Sequence, residues 1–486
     1  MLIFAAAPTQ KDLMPDIPVS LADAPAHLLT RLFASGDASP VEACSAVLAR
    51  IERFNPEFKA FVRVDAEGAQ RAARASEARW GRKSPFSPLD GVPISIKDLI
   101  LTKGLPTLRG SLTVDENQPW DEDSPVAARL REAGAVLLGK TATPEFGCKA
   151  ETNSPRSGLT RNPWNPARTP GGSSGGAAVA VALGMGPIAV GTDGAGSVRI
   201  PAAFCGTFGL KPSFGRVPAY PLSPMGTVAH LGPHTMDVRD AALAMNIMKR
   251  PDARDWTSLP LNDEDYTAVL SQNFTGLRIA WSPRLGYATV HPEVAASVRD
   301  AVRSLEDAGA RVEEVDPGFE DPLDVTTGLW FAGAWMVWNT LTSAQQAVTD
   351  PDFREQALLG RQISALHLQQ LHVRRGVLGS HMRQFMERYD LLVTPSVAVP
   401  AFDIRPPGSE PMSAEAMLAW TPFSYPFNLT QQPACTIPCG QTADGMPIGI
   451  QFVGPMFRDD LVLRAAAAYE AIRPIPRPAV ILDSQR

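Results

Sequence analysis

Residues 160–199 read TRNPWNPARTPGGSSGGAAVAVALGMGPIAVGTDGAGSVR, and the fold turns on how this stretch is understood. Nine glycines fall between Gly171 and Gly196, where the usual abundance of about 7% predicts roughly two. Backbone there must approach other backbone, or a ligand, very closely. A phosphate-binding P-loop needs a lysine after its last glycine, and there is none between Lys149 and Lys211. A dinucleotide fingerprint needs a preceding strand. RNPWNPARTP, with three prolines, cannot be a central strand. Gly172-Ser-Ser-Gly-Gly176 matches the nucleophile elbow G-x-S-x-G, with Ser174 as nucleophile and a helix after it, but the strand is again missing. A glycine-rich turn with small packing residues accounts for the pattern as well. The remaining reading is a serine hydrolase without histidine. A serine hydroxyl needs a base, and a lysine whose pKa is lowered by desolvation can be one. Lys97 closes the apolar run GVPISIKD (91–98), a route to burial, although lysines at strand ends usually stay in water.

Outward from this stretch, residues 22–35 and 40–54 read as two amphipathic helices, the second capped by Ser39 with Pro40 in its first turn. KAFVRVD (59–65) alternates like a strand, and 66–79 reads as a polar helix. Further strands are expected at 91–98, 135–140 and 187–193, with helices at 123–134 and 175–184 and a loop carrying Ser197. Strands alternating with helices predict an α/β protein. The expected architecture is a three-layer α/β/α fold with a central twisted mixed sheet and additional N-terminal helices. Beyond about residue 240 the pattern turns helical, over 292–308, 322–349 and 354–388, before strands at 391–397 and 447–454. The first 20 residues, with Pro8, Pro15 and Pro18, read as a loose tail. No internal repeat or low-complexity linker divides the chain. Residues 1–486 are therefore read as one large domain, mostly helical over 240–420.

Composition excludes several functions. A net charge of −6 argues against nucleic acid and against an anionic membrane surface as partners. No run of 18 apolar residues appears, so no membrane span is expected, and the start MLIFAAAPTQKD lacks the basic segment of a signal peptide. Five cysteines make no disulfide framework in 486 residues, and a reducing cytoplasm is the simplest location. Cys435 and Cys439 have no second Cys or His pair beside them, so no metal site is expected.

The motifs GVPISIKD (91–98), GKTATPEF (139–146), TRNPWNPARTPGGSSGG (160–176), GTDGAGSVRIPAAFCGTFGLKPSFGRV (191–217) and PFNLTQQPACTIPCG…GMPIGIQFVG (426–454) resemble those of the amidase signature family. The resemblance runs over nearly the whole chain, densest from 90 to 217 and thin from 240 to 420. It implies a nucleophile at Ser197, a bridging Ser173 that follows a cis peptide bond, and Lys97 as base. It implies an oxyanion hole from the N–H groups of Gly194, Ala195, Gly196 and Ser197. Ala195 stands where the family commonly has glycine, which restricts φ there. Ser174 is expected to brace the loop, and Asp193 and Arg199 to pair across it. Cys205 reads as a packing residue, while His230 and His234 are open between pocket edge and structural roles. No metal and no organic cofactor is implied.

The function expected is an amidase converting a small, hydrophobic or aryl-bearing carboxamide to a carboxylic acid and ammonia or an amine, through an acyl-enzyme on Ser197. The rings of Phe331, Trp335 and Trp338 share one helix face by spacing. Trp335 and Trp338, with Phe146, are the candidate substrate-binding residues, against the plainer reading of an aromatic core stripe. One alternative is the glutaminase subunit of a tRNA-dependent amidotransferase. Such relatives carry an acidic residue after K-P-[ST]-x-G to hold the α-ammonium of glutamine, and residues 211–236 contain no Asp or Glu. A catalytically dead scaffold is disfavoured because all three catalytic positions are filled. The expected partner is a small-molecule amide. The oligomeric state stays open, a homodimer being one option.

Overall fold

The computed structural model describes residues 20–482, so the tail expected at residues 1–20 lies, but for Ser20, outside the described residues. Among the described residues thirteen strands form in chain order: β1 (Phe61–Val64), β2 (Pro93–Lys97), β3 (Val136–Thr141), β4 (Asn153–Ser154), β5 (Gly158–Leu159), β6 (Ile188–Asp193), β7 (Phe208–Lys211), β8 (His230–Thr235), β9 (Arg278–Trp281), β10 (Arg311–Glu314), β11 (Leu391–Pro395), β12 (Ala434–Gln441) and β13 (Pro447–Val453). Eleven of them build one sheet in the order β1-β3-β2-β6-β8-β7-β12-β13-β11-β9-β10, while β4 and β5 pair apart from it. The sheet is mixed. β2 runs parallel to β3 and β6, whereas β8 pairs antiparallel with β6 and β7.

Side-chain alternation divides the core into two layers. Ile94, Ile96, Ile188 and Val190 face a cluster with Val126, Leu130, Met245 and Val298 from helices Pro125–Glu132, Val238–Met248 and Pro292–Asp307. Val136 and Leu138 face the other way, onto Val47, Ile51, Ala178 and Val179. The α/β expectation with helices on both faces is thus met. The N-terminal helices are Ala26–Ser35 and Pro40–Phe58, the second closed by a capping box between Ser39 and Glu42.

The expected helix over 322–349 is instead two, Leu323–Trp338 and Ser343–Ala347, and 354–388 is Pro351–Gly360 followed by Ala365–Phe385. The breaks carry their own cap signals. Thr342 and Gln345 form a capping box, and Ser364 accepts from the His367 N–H. Strands β4, β5, β7 to β10 and β12 have no counterpart among the sequence expectations. β9 and β10 are four residues each, too short to show a period of two. No helix among the described residues is long and apolar enough to cross a membrane.

Candidate active site

Because Ile94 and Ile96 point into one layer, Ser95 and Lys97 point into the other, and Lys97 sits fully buried at the carboxyl end of β2. Its Nζ donates to Ser173 Oγ at 2.7 Å, Ser174 Oγ at 2.8 Å and Thr192 Oγ1 at 2.9 Å. Burial drives the Lys97 pKa well below the ordinary lysine value, and the Asp193 carboxylate opposes this only in part.

The two serines stand at the start of helix Gly175–Ala182, and the Gly172–Ser173 peptide is cis. No strand precedes this helix, so the elbow geometry is absent. The glycine density has a steric cause. A Cβ on Gly172 would come within 2.5 Å of the Glu151 carbonyl oxygen, and one on Gly191 within 2.8 Å of Ser174 Oγ. Ser174 is spent on bracing: besides Lys97 it accepts from Thr192 N–H at 3.2 Å and donates to the Thr192 carbonyl at 3.0 Å.

The loop after β6 is built around a buried ion pair. Arg199 reaches Asp193 through Nε at 3.0 Å and a terminal nitrogen at 2.9 Å, with both side chains inaccessible to solvent. Its other donors go to Gln451 Oε1 at 2.7 Å and Asn428 Oδ1 at 2.6 Å. Burial alone would raise the Asp193 pKa, but Arg199, Lys211 and Asn428 outweigh it and hold the carboxyl well below the usual range. Asp193 also accepts from the N–H groups of Gly196 at 2.8 Å and Val198 at 3.1 Å. The Gly196 N–H is therefore not free for an oxyanion. Among the described residues the N–H groups of Gly194, Ala195 and Ser197 take no acceptor. Ala195 avoids positive φ, so its methyl group is no obstacle, and Ser424 Oγ holds its carbonyl at 2.9 Å.

Ser197 Oγ makes no hydrogen bond among the described residues, and two cavities meet at this residue. The larger, about 150 Å³, is lined by Ser173, Thr192, Gly194, Phe146, Tyr220 and Trp330 among others. The smaller, about 30 Å³, is apolar and bounded by Ala195, Ile200, Trp330, Phe331, Met417 and Leu418 among others. Phe146 thus lines the larger cavity, packed on Phe353 with ring centroids 4.9 Å apart.

Trp335 and Trp338 line neither cavity. They pack on each other with ring centroids 6.0 Å apart, and Arg361 lies over Trp335. The ring that lines both cavities with Ser197 is Trp330, against which a Cβ on Gly194 would sit 2.7 Å away. His230 edges the larger cavity, His234 is fully buried, and burial lowers both pKa values, that of His234 to about 3. Cys205 is fully buried.

Thr192, Ser424, Asn428, Gln451, Trp330 and Arg109 escaped the sequence reading. Thr192, Asn428 and Gln451 lie inside quoted motifs, but nothing in their spacing shows that they converge. The group of three close potential metal ligands among the described residues, His27, Asp237 and Asp240, is engaged at the start of helix Ala26–Ser35, where Asp240 accepts from the Ala26 N–H at 2.6 Å.

A family model described as Amidase matches residues 42–463. The chain is 39% identical over 448 residues to an acylamidase of Rhodococcus erythropolis, covering 91% of this chain and 94% of that one. It is 36% identical to a glutamyl-tRNA(Gln) amidotransferase subunit of Chloroflexus aggregans, covering 90% and 94%. Among solved structures, a bacterial aryl acylamidase of the amidase signature enzymes superposes with a TM-score of 0.88 at 29% identity, covering 96% of this chain and 99% of that one. A 6-aminohexanoate cyclic dimer hydrolase complexed with substrate does so with 0.86 at 30% identity, covering 95% and 99%.

Proposed function

The chain belongs to the amidase signature family and is a hydrolase acting on amide carbon–nitrogen bonds, and on that premise we propose that it cleaves a small, hydrophobic or aryl-bearing carboxamide to a carboxylic acid and ammonia or an amine. The observation that carries this reading is a fully buried Lys97 hydrogen-bonded, among the described residues, only to hydroxyls, beside an unpartnered Ser197 Oγ that opens onto apolar-walled cavities.

Neutral Lys97 takes the proton of Ser173 as Ser173 takes that of Ser197, and Ser197 Oγ attacks the amide carbon. The oxyanion accepts from the N–H groups of Gly194, Ala195 and Ser197, with Gly196 fixing the loop through Asp193. The proton returns through Ser173 to the leaving nitrogen, the carbon–nitrogen bond breaks, and the acyl group stays on Ser197. Water, deprotonated along the same relay, then releases the acid. No step calls for a metal or cofactor.

Relatives named acylamidase and aryl acylamidase support the substrate class, as do the rings of Phe146, Tyr220 and Trp330 around the larger cavity. The glutaminase alternative draws on the relatives named for the tRNA-dependent amidotransferase. Against it, no Asp or Glu among the described residues lines either cavity to hold an α-ammonium. Five free buried cysteines fit the reducing cytoplasm we propose as its location. A homodimer stays one option for its assembly.

The test is the purified chain alone with anilides, alkyl amides and glutamine, following amine or ammonia release without ATP or tRNA. Anilide hydrolysis is expected, with a fluorophosphonate probe labelling Ser197. Glutamine turnover without anilide turnover overturns the reading, as does labelling at Ser174.

A further inference from the structure

Arg109 lines the larger cavity and is the charged side chain there whose guanidinium has no work inside the protein. Its backbone is held on both sides: the N–H donates to the Asp98 carbonyl at 3.0 Å, and its carbonyl accepts from Phe146 N–H at 2.8 Å. Its φ is 57°, a left-handed value that a bulky residue adopts only where its surroundings impose it. Yet among the described residues the guanidinium makes no hydrogen bond and no ion pair.

Other sheltered arginines contrast with it. Arg199 is paired with Asp193, Arg50 with Asp23, Arg79 with Asp90, and Arg405 with Glu151 and Asp352. Asp98 is the acid whose field reaches Arg109, but it forms no ion pair with it. Its oxygens accept from Leu108 N–H at 3.0 Å and Gly110 N–H at 3.2 Å, and it also faces the buried Lys140. Burial lowers the pKa of His230 on the same wall, and the Tyr220 phenol beside it carries no positive charge. Among the described residues, the larger cavity in front of Ser197 therefore carries one permanent positive charge with five N–H donors and no acid to answer it, while Lys149 on the smaller one is paired with Asp350 and Asp352.

We propose that Arg109 is a specificity-determining residue that binds a carboxylate carried by the substrate, so that the preferred amide is an acidic one. The proposal rests on the amidase reading of the same site. A guanidinium matches a carboxylate bidentately, and the pairing strengthens where the cavity wall excludes water. The two cavities suggest which end bears the acid. The small apolar one, about 30 Å³, suits a short acyl group, while the larger, about 150 Å³, takes the amine side with its ring between Phe146 and Trp330 and its carboxylate toward Arg109. The same charge turns away ammonium-bearing amides.

The experiment compares kcat/KM for acetanilide, 3- and 4-acetamidobenzoate, and succinanilate, which carries its acid on the acyl side. An acetamidobenzoate is expected to lead acetanilide by about 10- to 100-fold, mostly through KM, as a hydrogen bond to a charged group is worth about 1.5–3 kcal/mol. Arg109→Gln should collapse that ratio, and Arg109→Lys should keep part of it. Equal or lower efficiency for every carboxylate in the wild-type protein overturns the proposal without recourse to a variant, as does an Arg109→Gln protein with an unchanged ratio. A lead for succinanilate alone overturns the assignment of the acid to the amine side. If no anilide turns over, the aryl-amide reading fails by itself, and calorimetric binding of 4-acetamidobenzoate against acetanilide to Ser197→Ala still decides: tighter binding of the carboxylate supports Arg109 recognition, and equal binding overturns it.

Discussion

Lys97, Lys140 and Lys211 are all fully buried, but what surrounds each nitrogen differs. Lys140 donates to the Ile100 carbonyl and to Thr102 and Thr107, and burial lowers its pKa to about 8. Lys211 donates to the carbonyls of Pro212 and Gln432. Burial lowers the Lys211 pKa as well, and the neutral amine keeps two N–H donors for these carbonyls, but a carbonyl only accepts, so neither can donate to its lone pair. Lys97 meets three hydroxyls, and a hydroxyl turns to donate once the amine is neutral. Of the three, Lys97 alone is surrounded entirely by groups that accommodate the neutral form, which a base requires. Lys97 is an active base above its pKa, and burial, by lowering that pKa, extends the neutral form to lower pH. kcat/KM should rise with pH through a value well below about 10.4 and fall away as Lys97 becomes protonated. Lys97→Ala should remove that limb and cost about 10⁴-fold or more in kcat. A retained limb in the variant would assign the base elsewhere.

At the scale of the element, helix Leu323–Trp338 shows where periodicity stops being informative. It is apolar nearly all round, with Trp330, Phe331, Trp335 and Trp338 distributed over more than one face. A helix apolar on every face does not announce which side meets a site. Thr326, Trp330 and Val337 present one face to the cavities; the stripe of Phe331, Trp335 and Trp338 is turned from it by one residue, about 100°, and of these three Phe331 alone reaches the smaller cavity. Helix Pro351–Gly360 decides this by packing against the second stripe, where a Cβ on Gly360 would collide with the Phe331 backbone. Trp330→Ala is expected to raise KM for aryl amides by tens of fold with a small change in Tm. Trp335→Ala and Trp338→Ala should lower Tm and leave KM nearly unaltered. Steady-state kinetics and thermal melts on the three variants separate the roles, and an aryl-amide KM that responds to Trp338 rather than Trp330 would reverse them.

Across the whole molecule, the loop bearing Ser197 is tied to distant parts of the sheet. Arg199 joins Asp193 at the end of β6 to Asn428 and to Gln451 in β13. Removing one partner of a buried ion pair strands the other, which costs about 3–5 kcal/mol. Arg199→Met should lower unfolding free energy in urea by that amount and also disable catalysis, because Asp193 would no longer hold Gly196 and Val198. A variant with full stability would show the pair to be replaceable.

Legible in the amino-acid order were the α/β class, the capped N-terminal helices, the steric need behind the glycines and the convergence of Ser173 and Ser174 on Lys97, though not that of Thr192. Each of these follows from local chemistry or from motifs whose residues act in a few short segments. Folding in three dimensions was needed to show that Gly196 N–H is taken by Asp193, that Trp330 rather than Trp335 or Trp338 lines the cavities at Ser197, and that Arg109, about 90 residues from Ser197 in sequence, stands in the same cavity with no side-chain partner among the described residues. A hydrogen bond is exclusive, a helix face is chosen by its neighbours, and an unanswered charge is visible only once everything around it has been placed.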